Sequence, residues 1–557
     1  MDNLRIFLWV GLLMMVWLTV QSWQTTFAPK PVATTSTTAV PSAPDGPASA
    51  PAKAPPSLPS LAAGTAPAVP GTAPAATAEP PAPPATLIRV RTDVLDLAID
   101  ARGGNIVEAK LPKYPVHKDQ PDVPVELLSP DPARFFAFQG GLRAADGQPE
   151  ANHLATFTAA GTDYTLEPGA TELKVPLRWE SPTGVVVIKT YTFRPGRFEI
   201  DLNHTVQNNG TQPYQAAEYL QLHRLFTPHQ QSMFDVETYS FNGPVTYDGD
   251  SYQKLDVEDL AATPFSQSVP KGWFAAIQHH FLAAAVPPAT ETWNYAGSFA
   301  DGKFLVSAIG PLQVIPPSGA ATFSSKLFVG PKLQSELKTV APGLELTVDY
   351  GRLTLLAQPM FWLLDNVHRF VGNWGLTIIL VTLLIKLVFY KLSETSGRSM
   401  AGMRKLQPRM KALQERYKDD RQAMSTALME LYKKEKINPA AGCLPMLVQI
   451  PFFIAFYWVL LESVEMRQAP FALWITDLSS KDPFFILPLL MGAAMFFQQK
   501  LNPPPPDPVQ AKMMQIMPIV FTGFFAFFPA GLVLYWLTNS VLSMAQQWRI
   551  NKVLGAD

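Results

Sequence analysis

The sequence predicts an α-helical membrane core joined to a large all-β domain outside the bilayer, and three observations carry that reading. Strongly apolar runs occur once at the N-terminus and repeatedly after residue 372. Residues 85–350 alternate apolar and polar side chains with period two, broken by turn residues. A Pro/Ala/Thr/Ser tract separates the first apolar run from the alternating region. The overall composition, 47% hydrophobic with 54 Pro in 557 residues, fits such a mixture better than one globule. Cys443 is the single cysteine, so no intrachain disulfide staples the chain.

In residues 1–24 Arg5 is followed by an apolar run to Val20, and no small-x-small cleavage signal follows between Ser22 and Ala28. An uncleaved anchor with its N-terminus in the cytoplasm is expected, a cleaved signal peptide being the alternative. Residues 25–84 contain almost no large apolar side chains, so they cannot bury enough surface to fold, and a semi-extended tether is expected. Within 85–350, Leu87 to Ile99 alternates as one run. Val185–Phe193 and Phe198–Val206 flank the turn Arg194-Pro195-Gly196-Arg197, and Asn208-Asn209-Gly210 ends the second run. Repeated strands with such turns predict an antiparallel β-sandwich.

Residues 351–372 form an amphipathic segment. Pro359 opens it, with Met360, Leu363, Leu364, Val367, Phe370 and Val371 on one face and Gly372 as the stop. A helix lying in the membrane interface is expected. Membrane spans follow at 373–392, 443–461, 484–499, 513–528 and 531–547, which with the anchor makes six. The last three have short apolar cores that would thin the bilayer locally.

Loop charge sets the orientation. Residues 391–436 carry 12 Lys/Arg against 6 Asp/Glu, whereas 466–483 carries only Arg467 and Lys481 against Asp477 and Asp482. By the positive-inside rule the basic segment, the loop 500–512, the tail 548–557 and both termini face the cytoplasm. The β domain and the loop 466–483 face outward. The basic stretch 393–440 has helical periodicity (Met400, Met403, Leu406, Met410, Leu413, Tyr417; then Met424, Leu428, Leu431) and predicts an antiparallel hairpin kinked at Pro408. Its surface suits anionic headgroups, ribosomal RNA or a client chain.

No P-loop, dinucleotide fingerprint, nucleophile elbow or Cys/His metal spacing is present, so the sequence predicts neither an enzyme nor a cofactor or metal site. His279-His280 is the histidine pair of the β domain, a weak candidate ligand pair. The membrane region instead offers sparse polar residues. Lys386 is the one charge inside an apolar run, with Thr382 four residues before it and Tyr390 four after. Gln449 lies on the third span, and Tyr535, Trp536, Thr538, Asn539 and Ser543 lie on the sixth. Such groups must find partners or water in hydrocarbon. Two readings of Lys386 stand at this point: snorkelling to the cytoplasmic interface, roughly 7.5 Å away along the helix at Lys391, or a shared wet indentation. No acidic residue lies within a span to pair with it, which argues against a proton-coupled transporter. Fourteen of the 18 methionines fall after Pro359, an adaptable apolar surface.

Five strings carry a resemblance. GNWGLTIILVTLLIK (372–386), LQPRMKALQERYKDDRQ (406–422), INPAAGCLPMLVQIPFFIAFYWVL (437–460), RQAPFALWITDLSSKDPFFILPLLMG (467–492) and FPAGLVLYWLTNS (528–540) closely resemble the YidC family of bacterial membrane protein insertases. The resemblance covers about residues 355–550, and the anchor, tether and outer β domain look like the Gram-negative form with a large periplasmic domain. It implies a conserved core of five of the six helices with a hydrophilic groove, a periplasmic β-supersandwich, and location in the inner membrane. Implied partners are nascent membrane-protein clients, the Sec translocon, the ribosome and lipid, without DNA. The implied groove residues are Lys386, Thr382, Gln449 and Trp536, with Tyr535 and Asn539 beside them. Many relatives carry arginine at the Lys386 position and tyrosine at the Trp536 position, so neither a bidentate guanidinium nor a hydroxyl is required there. A periplasmic-ligand-binding transporter and a pure recruiting scaffold are the alternative classes.

Overall fold

The computed structural model describes residues 86–228, 240–417, 420–435, 439–501 and 508–554. The anchor expected at 1–24 and the linker at 25–84 lie outside the described residues.

Among the described residues the β domain is built from two sheets, of eleven and nine strands, sharing one apolar core. In the larger sheet Tyr214–Leu225 lies between Lys303–Ile309 and Phe136–Ala144, and in the smaller Glu199–Asn208 lies between Ala320–Pro331 and Val185–Phe193. Pairing is antiparallel apart from Leu87–Arg91 against Asp163–Thr165. The expected hairpin is present, running from Phe193↔Ile200 to Val185↔Asn208 around Gly196, whose φ is 68°. Leu87 to Ile99, expected as one run, is two strands. The Thr92 hydroxyl accepts from the amides of Val94 (3.2 Å) and Leu95 (2.9 Å) and turns the chain, so that Arg91 pairs with Asp96.

A polar layer lies between the sheets. Lys189 is 0% exposed, and its ammonium donates to the carbonyls of Gly103 (3.0 Å) and Gly140 (2.9 Å). Tyr191 donates to Gly104 O at 2.6 Å. Glu218 takes bonds from His204 Nδ1 and from the Ser325 hydroxyl, both at 2.7 Å. Burial drives the Lys189 ammonium down to about 7, with Glu218 pulling the other way.

Ten α-helices are present among the described residues. Two short ones, α1 (Val257–Ala262) and α2 (Gln334–Val340), belong to the β region, and α3 (Thr354–Val371) follows two 3-10 turns. Pro359 does not open α3 but lies inside it. The missing proline amide removes a single i→i−4 bond, to Leu355, which the helix tolerates. The buried face is Ala357, Met360, Phe361 and Leu364, and Phe370, expected on that face, is 91% exposed. Gly372 (φ 68°) ends α3, its amide bonded to His368 O at 2.7 Å. The Asn373 side chain then caps α4 (Trp374–Val388) through the Leu376 amide.

Phe389 breaks the chain between α4 and α5 (Tyr390–Arg416), where the axis bends by 64°. With α6 (Arg421–Lys434), α5 forms the basic hairpin, in which Leu406, Met410 and Leu428 pack with Leu413, Met424, Leu431 and Tyr432. Four helices complete the core: α7 (Pro439–Glu462), α8 (Ile486–Lys500), α9 (Pro508–Phe525) and α10 (Ala530–Leu554). α10 packs on α4 and α8, and α7 on α3 and α5. Among the described residues no single helix is both long and apolar enough to cross a membrane. α4 with Tyr390–Ser399 reaches that length only as a bent pair, and Leu447–Glu462 and Lys512–Phe525 are shorter apolar stretches.

Candidate functional site: a polar chain in the helical core

Three helices that are apolar over most of their surface bring polar side chains together. On α4, Lys386 is half-buried and its ammonium donates to the Ser543 hydroxyl of α10 at 2.7 Å. Ser543 in turn donates to Asn539 O, one helical turn earlier, at 2.7 Å. The Asn539 carboxamide oxygen accepts from Gln449 of α7. A continuous chain of polar groups therefore links α4, α10 and α7. Each member satisfies another at half-buried positions between apolar helices, where a fully buried, unpartnered amide would cost roughly 1–3 kcal/mol.

The residues singled out from the sequence do not all join this chain. Lys386, Gln449 and Asn539 do, and Tyr535 is 2% exposed, stacked 4.3 Å from Phe456. Thr382 is 2% exposed and spends its hydroxyl on its own helix, bonding Ile378 O at 2.6 Å. Trp536 sits in an aromatic wall, 4.6 Å from Phe453 and 5.3 Å from Phe525. Ser543 was legible only as one of several hydroxyls on its span. Its spacing from Asn539, one turn on the same face, was the available signal.

A second polar cluster, not anticipated, fastens the β domain to the end of α7. Glu462, the last residue of α7, is 2% exposed and accepts from the Ser240 hydroxyl. His279 donates through Nε2 to Leu461 O at 3.0 Å and stacks on His280 at 3.8 Å. Burial lowers His279 to about 3, so it stays neutral and acts as a donor rather than a charge. Lys332 is 1% exposed, and burial lowers its ammonium to about 8 against the pull of Glu462. Gln334 donates from its side chain to the Tyr350 hydroxyl (2.6 Å) and from its amide to Glu465 Oε1 (3.2 Å). Burial pushes Glu465 up to about 7. Farther out, Arg467 donates to Pro115 O (2.9 Å) and Val116 O (3.1 Å), and Lys118 donates to Gln468 O (3.0 Å) and Thr476 O. The histidine pair is thus part of an interdomain seam.

Comparison with known proteins places both halves. Residues 87–363 match the model of the YidC periplasmic domain, and residues 366–556 match the 60Kd inner membrane protein model. The membrane protein insertase YidC of Thioalkalivibrio sulfidiphilus is 49% identical over 99% of this chain and 98% of its own. The chain belongs to the YidC family of membrane protein insertases. YidC of Methylococcus capsulatus is 50% identical over 84% of this chain and 85% of its own. A crystal structure of an active YidC insertase with its first transmembrane domain resolved aligns over 83% of this chain and 93% of that one, at 18% identity and a TM-score of 0.37. As a YidC-family protein, the chain is an inner-membrane insertase rather than an enzyme, with a periplasmic β domain and a helical core. The cluster at Glu462 is therefore a seam between the periplasmic domain and the insertase core.

Proposed function

We propose that the polar chain around Lys386 is the client-receiving groove of this insertase. Lys386 attracts the short hydrophilic, preferably acidic, segment of a client partway into the bilayer. Coulomb attraction between unit charges about 4 Å apart is worth roughly 4 kcal/mol at an effective dielectric near 20. Gln449 and Asn539 offer that segment hydrogen bonds in place of water, the half-buried Trp536 with its aromatic wall lines its path, and the buried Thr382 and Tyr535 back the groove wall. The distance left to cross is then shorter, and the short apolar helices thin the membrane further. The client's apolar helix leaves sideways along α7 and α9 into lipid, driven by burial of its apolar surface.

The observation that carries this reading is the bond from Lys386 to Ser543 and on to Asn539 and Gln449, a polar track across three apolar helices. Six spans with both termini in the cytoplasm, cooperation with the Sec translocon, and ribosome contact through the basic hairpin complete the proposal, supported by the 12-to-6 excess of basic over acidic side chains in residues 391–436. Photocross-linking from positions 382, 386, 449 and 536 to a stalled nascent membrane protein tests it. Adducts are expected at all four positions, and none at 386 and 449 would overturn the groove.

A further inference from the structure

The loop after α7 contains a leucine that neither its backbone nor its packing explains. The Ile475 amide bonds Ala472 O at 3.0 Å, so residues 472–475 form a tight turn with Leu473 at its first central position. Leu473 has φ 54°, in the left-handed region, whereas Trp474 is not among the residues of positive φ. That is the type II′ pattern, in which the first central position is normally glycine. A leucine there carries strain, and its side chain is 87% exposed, so among the described residues little contact offsets it.

The turn itself is firmly held. Phe471 O accepts from Asn373 at 2.9 Å, and the Phe471 ring covers Gly375, where an added Cβ would lie 2.0 Å from Cδ2. Trp474 donates to Asp482 Oδ1 at 3.1 Å, while Ile475 and Leu478 are 3% and 2% exposed. The turn therefore sits beside the first residues of α4, on the side of the core that contacts the periplasmic domain through Arg467 and Lys118. Two more apolar rings are exposed at this level. Phe484 is 64% exposed, and its amide bonds the same Asp482 carboxylate. Phe370 is 91% exposed at the end of α3, which is pinned to α4 by the His368–Trp374 stack at 3.9 Å.

We propose that the 472–475 turn is a lipid anchor: Leu473, flanked by Phe484 and Phe370, inserts into the periplasmic leaflet at the boundary between headgroups and acyl chains. The partner is the bilayer surface, because these side chains ring the ends of apolar helices, where acyl chains begin. The anchor fixes the depth at which the short helices sit and holds the seam with the periplasmic domain against the membrane.

The test uses the full chain carrying Cys443→Ser, with Leu473→Cys labelled by an environment-sensitive fluorophore in phosphatidylethanolamine/phosphatidylglycerol proteoliposomes without client. The label is expected to emit at shorter wavelength than one at exposed Lys174→Cys, to be quenched by lipid carrying a nitroxide near the headgroup, and to resist aqueous iodide. Iodide quenching as strong as at position 174, or lipid quenching that needs added client, would overturn the proposal. Leu473→Gly, which relieves the left-handed strain, should leave the melting temperature unchanged or raised while moving a label at Ala472→Cys toward water. A lowered melting temperature would show that the leucine packs within the chain and would also overturn it.

Discussion

Replacing Lys189 by methionine should remove a pH dependence that the structure builds into the periplasmic domain. The ammonium is 0% exposed, is held by the carbonyls of Gly103 and Gly140, and has its affinity for a proton lowered by burial from 10.5 to about 7. A lysine that titrates lower in the folded state than in the unfolded chain costs nothing above pH 10.5, where both forms are neutral. The cost appears as pH falls through the interval, because only the unfolded chain gains the proton, and it is complete below 7. The interval of 10.5 to about 7 corresponds to about 4–5 kcal/mol, of which about 3–4 kcal/mol falls between pH 7 and 10. Wild-type stability should therefore rise over that range relative to Lys189→Met by this amount. Denaturant unfolding of the full chain in nanodiscs, followed by the fluorescence of buried Trp273 and Trp293, measures it. A wild-type minus variant difference that is the same at pH 7 and pH 10 would refute the reasoning.

Further outcomes concern the seam and the core. Lys332→Met removes the positive charge whose attraction opposes the burial of Glu462 and should destabilise the seam, seen as faster proteolysis between residues 462 and 483; Lys332→Met with Glu462→Gln should recover much of that loss. Glu465 holds its proton up to about 7, against 4.5 unfolded, so its contribution favours the seam below pH 4.5 and is lost as pH rises to 7. Glu465→Gln should flatten the fall in protease resistance from pH 5 to 8, while the neutral histidines 279 and 280 act equally in both proteins; an unchanged slope would count against the burial argument. Gly375→Ala would drive a Cβ to 2.0 Å from the Phe471 ring and should cost roughly 1–3 kcal/mol through overpacking, read as a lower melting temperature.

The sequence showed most where a local pattern carries the information. The turn at 194–197, the amphipathic hairpin around Leu406 and Leu428, and polar residues isolated in apolar runs all report on neighbours within a few residues. Thr92 was missed as a break because one hydroxyl, not glycine or proline, turns the chain. The start of α3 was misplaced because proline resembles a helix opener while costing only one internal bond. The seam was invisible for a different reason. It joins Pro115 to Arg467 and His279 to Leu461, pairs far apart in sequence whose residues look ordinary alone. The meeting of Lys386 with Ser543 is likewise a property of how α4 and α10 cross. What the sequence did show is that Lys386 had to be satisfied by something.

The central claim is that positive charge at Lys386 draws acidic client segments into the groove. Insertion of a single-span client with an acidic outer tail, and of the same client with a neutral tail, should be measured in proteoliposomes containing wild type, Lys386→Arg, Lys386→Ala or Lys386→Glu. Arginine should support both clients, alanine should slow the acidic one more than the neutral one, and glutamate should slow it further. Equal insertion of the acidic client by the wild-type and glutamate proteins would contradict the account.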